Sequence, residues 1–431
     1  MPETSIENEA PKEQPRLPWE IGVFDAHCHP TDTMTSISDI PHMQAMALTI
    51  MSTRGEDQEL VDEVAQRLGD YQNIADKGSN GKIVPCFGWH PWFAHQISVL
   101  NDDTPTPDEE ATEAARKIQH YQRVLTGLTE SGRDESNDNA FFETLPTPKP
   151  LSTLLAETRK RLLAHPNALV GEIGLDRAFR LPMPWQEEEL EVRNAELTPG
   201  SREGRSLSPY KVAIAHQKAL LKAQLQLAGQ LRRAVSVHSV QAHGAVFDVL
   251  QELWKGHERT KETKRQRKAR ARDERDEFLA NEDDHKEKEE GKGKEQHKAH
   301  GQQQKIESRG EKEEGDATKF PLPYPPRICM HSYSGTAEAL KQFLLPKVPS
   351  DVYFSFSTAI NFTGPSPEKV LAALQALPDD RILVESDLHC AGEQMDGLLE
   401  EVVRTVCRER GWSLEDGTRK LAENWKRFVF G

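Results

Sequence analysis

The sequence predicts an α/β fold, a closed TIM-type (β/α)8 barrel, and three observations carry that prediction. Eight short apolar runs recur along the chain, mostly separated by helical patterns. Most of the runs are near-continuous rather than alternating, as expected for parallel strands buried on both faces. Setting aside an N-terminal tail and three polar stretches leaves roughly 265 residues, close to the roughly 250 that such a barrel needs. In order, the runs are Ile21–His27, Ala45–Ser52, Lys82–Trp89, Ala168–Leu175, Ala234–His238, Arg327–His331, Val352–Phe356 and Arg381–Glu385. Helical patterns fall at Gln58–Leu68, Leu151–Ala164, Val212–Leu231, Ala242–Trp254, Thr336–Phe343 and Pro367–Leu377. Repeated strand–helix alternation favours a closed parallel barrel over an open doubly wound sheet. No repeat at solenoid periods competes with it.

The chain has 431 residues, with 70 acidic and 55 basic side chains and a formal charge of −15. Its 36% apolar fraction lies below the roughly 45–50% of a compact domain, so part of the chain lacks a core. Lys255–Lys319 holds 19 Lys/Arg and 18 Asp/Glu in 65 residues. Such a segment cannot offset its ordering entropy by burial and is expected to be disordered or a solvated single helix. Its basic first part, KETKRQRKARAR, can attract nucleic acid or read as a nuclear localisation segment, and the insertion as a whole can recruit a protein partner. The expected organisation is a disordered tail over residues 1–20, then one barrel domain over 21–431. That domain carries insertions at about 101–150, 178–209 and 255–319, the last low-complexity and charged.

The acidic balance argues against broad clamping of nucleic acid but leaves room for a local basic groove. No run of about 18 apolar residues exists, so no membrane-spanning helix is expected. The polar, acidic N-terminus lacks a secretory pattern. Five scattered cysteines form no disulfide framework or zinc knuckle. A soluble, reduced protein of the cytoplasm or nucleus is the expectation.

Metal-ligating residue types recur where the apolar runs stop. Strand one ends in Asp25-Ala-His27-Cys-His29, and residues two apart on a strand share a face. Two imidazoles there can hold one divalent cation, with Asp25 as a ligand or supporting carboxylate and Cys28 facing away. Strand four ends in Gly171-Glu172-Ile-Gly174-Leu-Asp176, where a carboxylate among apolar residues is costly unless paired. Strands five, six and eight end in His238, His331 and Asp387. Each is commonplace alone. Together, His27, His29, Glu172, His238, His331 and Asp387 mark the C-terminal rim of a barrel, where such folds build their sites. Imidazole and carboxylate donors suit Zn, Mn or Fe, and Mg more weakly. A pair of divalent cations held there can activate water and stabilise both oxygens of a phosphodiester displacement. His90 in Gly88-Trp89-His90-Pro91-Trp92 falls at the same rim. The turn at Ser332, Ser334 and Gly335 can offer backbone N–H groups to a phosphate. Trp89 and Trp92 can stack on bases or serve as packing.

The segments FDAHCHP, GWHPW, GEIGLDR, VSVHS, HSYSG and ESD, closing with AENWKRFVF and its Asn424, resemble the TatD family of metal-dependent deoxyribonucleases from about Val23 to Phe430. The long insertions resemble those of fungal members. The resemblance implies a barrel of the metal-dependent hydrolase type, binding two divalent cations and hydrolysing phosphodiester bonds in DNA. It implies that His27 and His29 serve one metal, Glu172 both, and His238 and His331 the second. Asp387 is then a ligand that takes a proton from the attacking water, making Asp387 and Glu172 catalytic, while His90, Ser332 and Ser334 contact substrate. One departure stands out: many relatives carry Arg where this chain has Val240. The alternative is a barrel kept as a protein-interaction partner, as names of fungal members tied to cell-cycle machinery suggest. A third expectation, an amide-, lactone- or phosphotriester-cleaving barrel with a modified strand-four lysine, is disfavoured by Glu172.

Overall fold

The computed structural model describes residues 15–71, 81–99, 112–127, 135–190, 204–259, 321–363 and 366–431. All eight expected strands are present. They are β1 Phe24–Cys28, β2 Ala47–Met51, β3 Ile83–Cys86, β4 Val170–Asp176, β5 Val235–Val240, β6 Arg327–Met330, β7 Asp351–Phe356 and β8 Ile382–Val384. Every neighbouring pair within the two sheets, β1-β2-β3 and β4-β5-β6-β7-β8, is parallel. The sheets close on each other at two seams. Cys86 bridges Leu169 in parallel. Opposite it, the Asp387 N–H donates to the His27 carbonyl at 3.0 Å and the His29 N–H to the Leu388 carbonyl at 2.7 Å.

Among the described residues, ten helices of seven to eighteen residues surround or extend the barrel: α1 Gly55–Leu68, α2 Glu113–Val124, α3 Glu135–Thr144, α4 Leu151–Ala164, α5 Ile214–Gln230, α6 His243–Trp254, α7 Ala337–Phe343, α8 Pro367–Ala376, α9 Glu393–Arg410 and α10 Leu414–Val429. Alternation along each strand separates two cores. Ile50, Ile83, Val235, Val237, Ile328, Phe354 and Ile382 pack with the helices. Small residues of the opposite parity, among them Ala26, Ala47, Cys86, Ala234 and Cys329, form a second cluster with Phe24, Tyr353, Trp425 and Phe428. α10 plugs that cluster. Trp425 stacks on Phe24 with centroids 4.3 Å apart, and Asn424 donates to the Asp379 and Ile382 carbonyls at 2.7 and 2.8 Å.

Three expectations about polar segments need correction. Residues 15–20 are not a free tail, because Leu17 and Trp19 are buried in the main core. The 101–150 insertion is not coreless. α2 and α3 bring Tyr121, Val124, Phe141 and Phe142 into a third cluster with Phe93, Leu154 and Leu220. The 178–209 insertion joins it through Leu181, and Pro182 bridges Leu207. A few large side chains suffice to bury these segments, which an average over composition does not reveal. Among the described residues, 15–257 and 321–431 belong to one compact unit. The expected charged insertion at 255–319 lies outside the described residues beyond Arg259.

Candidate metal centre

Glu172, 3% exposed on β4, is the hub of the rim. Its Oε1 lies 2.7 Å from His331 Nε2, 2.8 Å from His238 Nδ1 and 3.2 Å from His90 Nε2. Its Oε2 lies 3.3 Å from His29 Nε2 and 3.6 Å from His27 Nε2. Asp387 completes the group, with Oδ1 3.8 Å from His27 Nε2 and 3.7 Å from His29 Nε2. All six residues that the sequence singled out as ligands therefore converge, although they come from five strand ends. Among the described residues, three triads have donor atoms within 4.8 Å of one another: His27/His29/Glu172, His27/His331/Asp387 and His90/Glu172/His238.

Local structure explains the convergence. The β1–β2 register shifts between Asp25 and Cys28, and His27 Nδ1 meets Ser236 Oγ of β5 at 2.8 Å. That contact leaves Nε2 facing His29 Nε2 at 3.0 Å. A ring nitrogen held from behind with its other nitrogen aimed at a shared point is how metal-ligating imidazoles are set. Asp25 takes no part in the cluster. It accepts from the Ser386 N–H at 3.1 Å, the Ser386 hydroxyl at 2.5 Å and the His27 N–H at 3.0 Å, tying β1 to the end of β8.

Electrostatics follow from the packing. Burial pushes the Glu172 carboxyl up, but the imidazoles of His90, His331 and His27 outweigh it and hold it well below its ordinary range. Burial works against charge on His29 and His331, yet Glu172 lifts His29 to about 9 and His331 well above its ordinary value. His90 is different: burial lowers it to about 4. Its Nδ1 accepts from the Trp92 N–H at 3.2 Å, so the neutral ring carries its proton on Nε2 and donates to Glu172.

The sequence left several residues of this site without a role. Asp176 Oδ2 meets His238 Nε2 at 3.2 Å and accepts from Trp92 Nε1 at 2.6 Å. Its place four residues after Glu172 on β4, on the same face, was the available signal. Glu385 sits 3.7 Å from His331 Nδ1. It also accepts from both the N–H and the hydroxyl of Ser332, at 2.8 and 2.5 Å. Of the turn expected to meet a phosphate, the Ser332 N–H is thus already taken by Glu385. Ser332 and the exposed Ser334 still line the site cavity, about 470 Å³, with His90. Ser332 and Asp387 both adopt positive φ, 40° and 56°, conformations that non-glycine residues keep only where surroundings enforce them. A larger cleft of about 760 Å³ lies by α1 and α4, lined by Glu59, Asp62 and Lys160, and holds none of the imidazoles.

A closed (β/α)8 barrel with buried imidazole–carboxylate triads at its C-terminal rim defines a hydrolase of the metal-dependent type. The family model described as TatD related DNase matches residues 24–430, and the chain belongs to that family. Its hydrolases bind divalent metals. The chain is 33% identical over 408 residues to the Cut9-interacting protein scn1 of Schizosaccharomyces pombe, covering 94% of this chain and 98% of that one. It is 24% identical over 368 residues to a Saccharomyces cerevisiae protein named uncharacterized deoxyribonuclease YMR262W, covering 85% and 83%. Among solved structures it is similar to YJJV, a TatD homologue from Escherichia coli. The TM-score is 0.45 at 15% identity, covering 94% of this chain and 97% of that one.

Proposed function

We propose that this chain hydrolyses phosphodiester bonds in DNA with two divalent cations. One observation carries the reading: five imidazole nitrogens lie within 3.6 Å of the single buried carboxylate of Glu172. In a protein without ions this is a costly concentration of polar groups, and its donor set suits Zn, Mn, Fe or, more weakly, Mg. His27, His29 and Asp387 would hold one cation and His238 and His331 the other, with Glu172 shared between them. Bound there, the cations polarise the phosphodiester and make water a nucleophile near neutral pH.

The chain's own residues do the rest. Asp387, at the open side of the cluster with Oδ2 3.3 Å from Ser332 Oγ, accepts the proton of the attacking water. Glu172 offsets charge between the two halves. His90 fixes Glu172 through its Nε2–H, and Ser332 and Ser334 meet the substrate along the cavity wall. Five free cysteines support a reducing cytoplasmic or nuclear setting.

The test is incubation of the full chain with labelled single- and double-stranded DNA, with and without chelator, alongside Glu172→Gln and Asp387→Asn. Cleavage that needs metal and is lost in both variants supports the reading, and metal binding without cleavage refutes it. A second reading rests on similarity to the Cut9-interacting protein scn1: the barrel serves as a protein partner, contacted through residues 255–319. Capture of a partner that survives deletion of 255–319 would count against that role for the insertion.

A further inference from the structure

One guanidinium in the cavity is unused by the hydrolysis described above. Arg54 lies between β2 and α1 and lines the 470 Å³ cavity beside Thr53 and Phe93. It is 4% exposed, and burying a guanidinium is costly unless its donors are engaged. Most are engaged. Nε donates to Glu56 at 3.1 Å and Nη1 to Thr53 Oγ1 at 3.3 Å. The guanidinium rests over the Phe93 ring, 5.0 Å from its centroid. Nη2 is buried with no hydrogen-bond partner.

The backbone beneath it is fixed as well. Asp57 accepts from the Thr53 N–H at 2.9 Å and the Arg54 N–H at 2.7 Å, clamping the start of α1. Among the described residues lining the cavity, Arg54 is the only lysine or arginine, set among the carboxylates of Asp32, Glu172 and Asp387. Val240, across the same cavity, adds no charge. A guanidinium held through Nε and Nη1, with Nη2 left unpaired on a side chain that lines the cavity, is suited to an anionic oxygen.

We propose that Arg54 is a substrate-binding residue whose Nη2 grips a non-bridging oxygen of a backbone phosphate beside the metal cluster. This rests on the phosphodiester reading above and adds the subsite that holds the strand. The experiment uses the full chain in an Asp387→Asn background, loaded with Mn, and a fluorescein-labelled single-stranded oligonucleotide followed by anisotropy. Arg54→Met should weaken binding about 10- to 100-fold, the effect of losing one charged hydrogen bond. It should also reduce the dependence of log K on log salt by about 0.7, the contribution of one phosphate contact to a single strand. Arg54→Lys should recover part of the affinity and the slope.

Scanning neutral methylphosphonates along the oligonucleotide should reveal one position that weakens binding to the parent protein and not to Arg54→Met. If Arg54→Met does not fold, Arg54→Lys still decides the matter, because its methylphosphonate penalty must shrink. Equal affinity, equal salt slope and an equal penalty in the folded variants would overturn the role of Arg54 alone. Absence of any oligonucleotide binding by the metal-loaded Asp387→Asn parent would overturn it together with the phosphodiester reading.

Discussion

Gly174 sets the spacing between the two strands that carry Glu172 and His238, so a single methyl group there should disable the site. Gly174 pairs with His238 in the β4–β5 register. A Cβ at this position would lie 2.0 Å from the His238 carbonyl oxygen and 2.9 Å from its Cα. Real Cβ atoms keep at least 3.0 Å, so the strands must part by about 1 Å. The clash is with backbone and cannot be relieved by a rotamer change. Overpacking of this kind costs about 1–3 kcal/mol. A displacement of about 1 Å at a reacting group can cost about 100-fold in rate. Gly174→Ala should therefore lower the melting midpoint by a few degrees. It should reduce metal-dependent turnover of a model phosphodiester by about two orders of magnitude, with metal content measured on the same samples. Unchanged melting and unchanged turnover would refute the claim that this close approach positions the cluster.

Three further outcomes follow from the same geometry. Glu172→Gln should lose bound metal as well as activity, by at least the roughly 10–100-fold typical of disturbing a metal site's supporting groups, whereas Asp387→Asn should cost turnover more than metal content; elemental analysis beside kinetics separates them. Chelator should lower the melting midpoint, since a ligand present at about 100 times its Kd stabilises by about 2.7 kcal/mol; a midpoint indifferent to chelator and to added Mn or Zn would contradict a metal-binding cluster. Buried His95, His120 and His216 have their imidazoles pushed down by burial, His95 to about 3 and His120 to about 4. The unfolded chain therefore binds more protons below about pH 6.5, and stability, intact above that value, falls with pH toward 4 by up to about 1.4 kcal/mol per unit for each ring. Denaturation of the His95→Gln variant should show a shallower acid slope.

The barrel was legible because each strand is a compact apolar run and five of the eight end in a predicted ligand, and both signals are local. The differences in boundary have local causes too. Strand one starts at Phe24 rather than Ile21, because Trp19–Ile21 form a 3-10 turn that ends at Gly22, whose φ is 112°. Strand three stops at Cys86, after which the Trp89 N–H turns to Gln224 Oε1 at 2.8 Å instead of a neighbouring strand. What could not be read was pairing across distance. Glu385 lies two residues before Asp387 and reaches Ser332, 53 residues earlier in the chain. No periodicity reports that His90 donates to Glu172, or that Arg54 rests on Phe93. Those contacts exist only once the rim has closed.

The third core, formed by segments expected to lack one, gives the insertions a role in the chemistry. The turn Pro91–Gln96 carries Trp92 and Phe93 into the cavity wall. Side chains of α2 and α5 hold it. His120 pairs with the His95 carbonyl at 2.7 Å and His216 with the Ala94 carbonyl at 2.9 Å, while Trp89 Nε1 donates to the Phe93 carbonyl at 2.8 Å. Phe93 in turn supports the Arg54 guanidinium, and Trp92 stacks on Phe179 of the 178–209 segment with centroids 4.7 Å apart. A loop on a barrel rim is ordinarily free to move. Here α2 and the 178–209 segment brace one, through His120 and Phe179. Preorganisation of that kind is what a site must have if its donors are to meet charge only as it develops in the transition state.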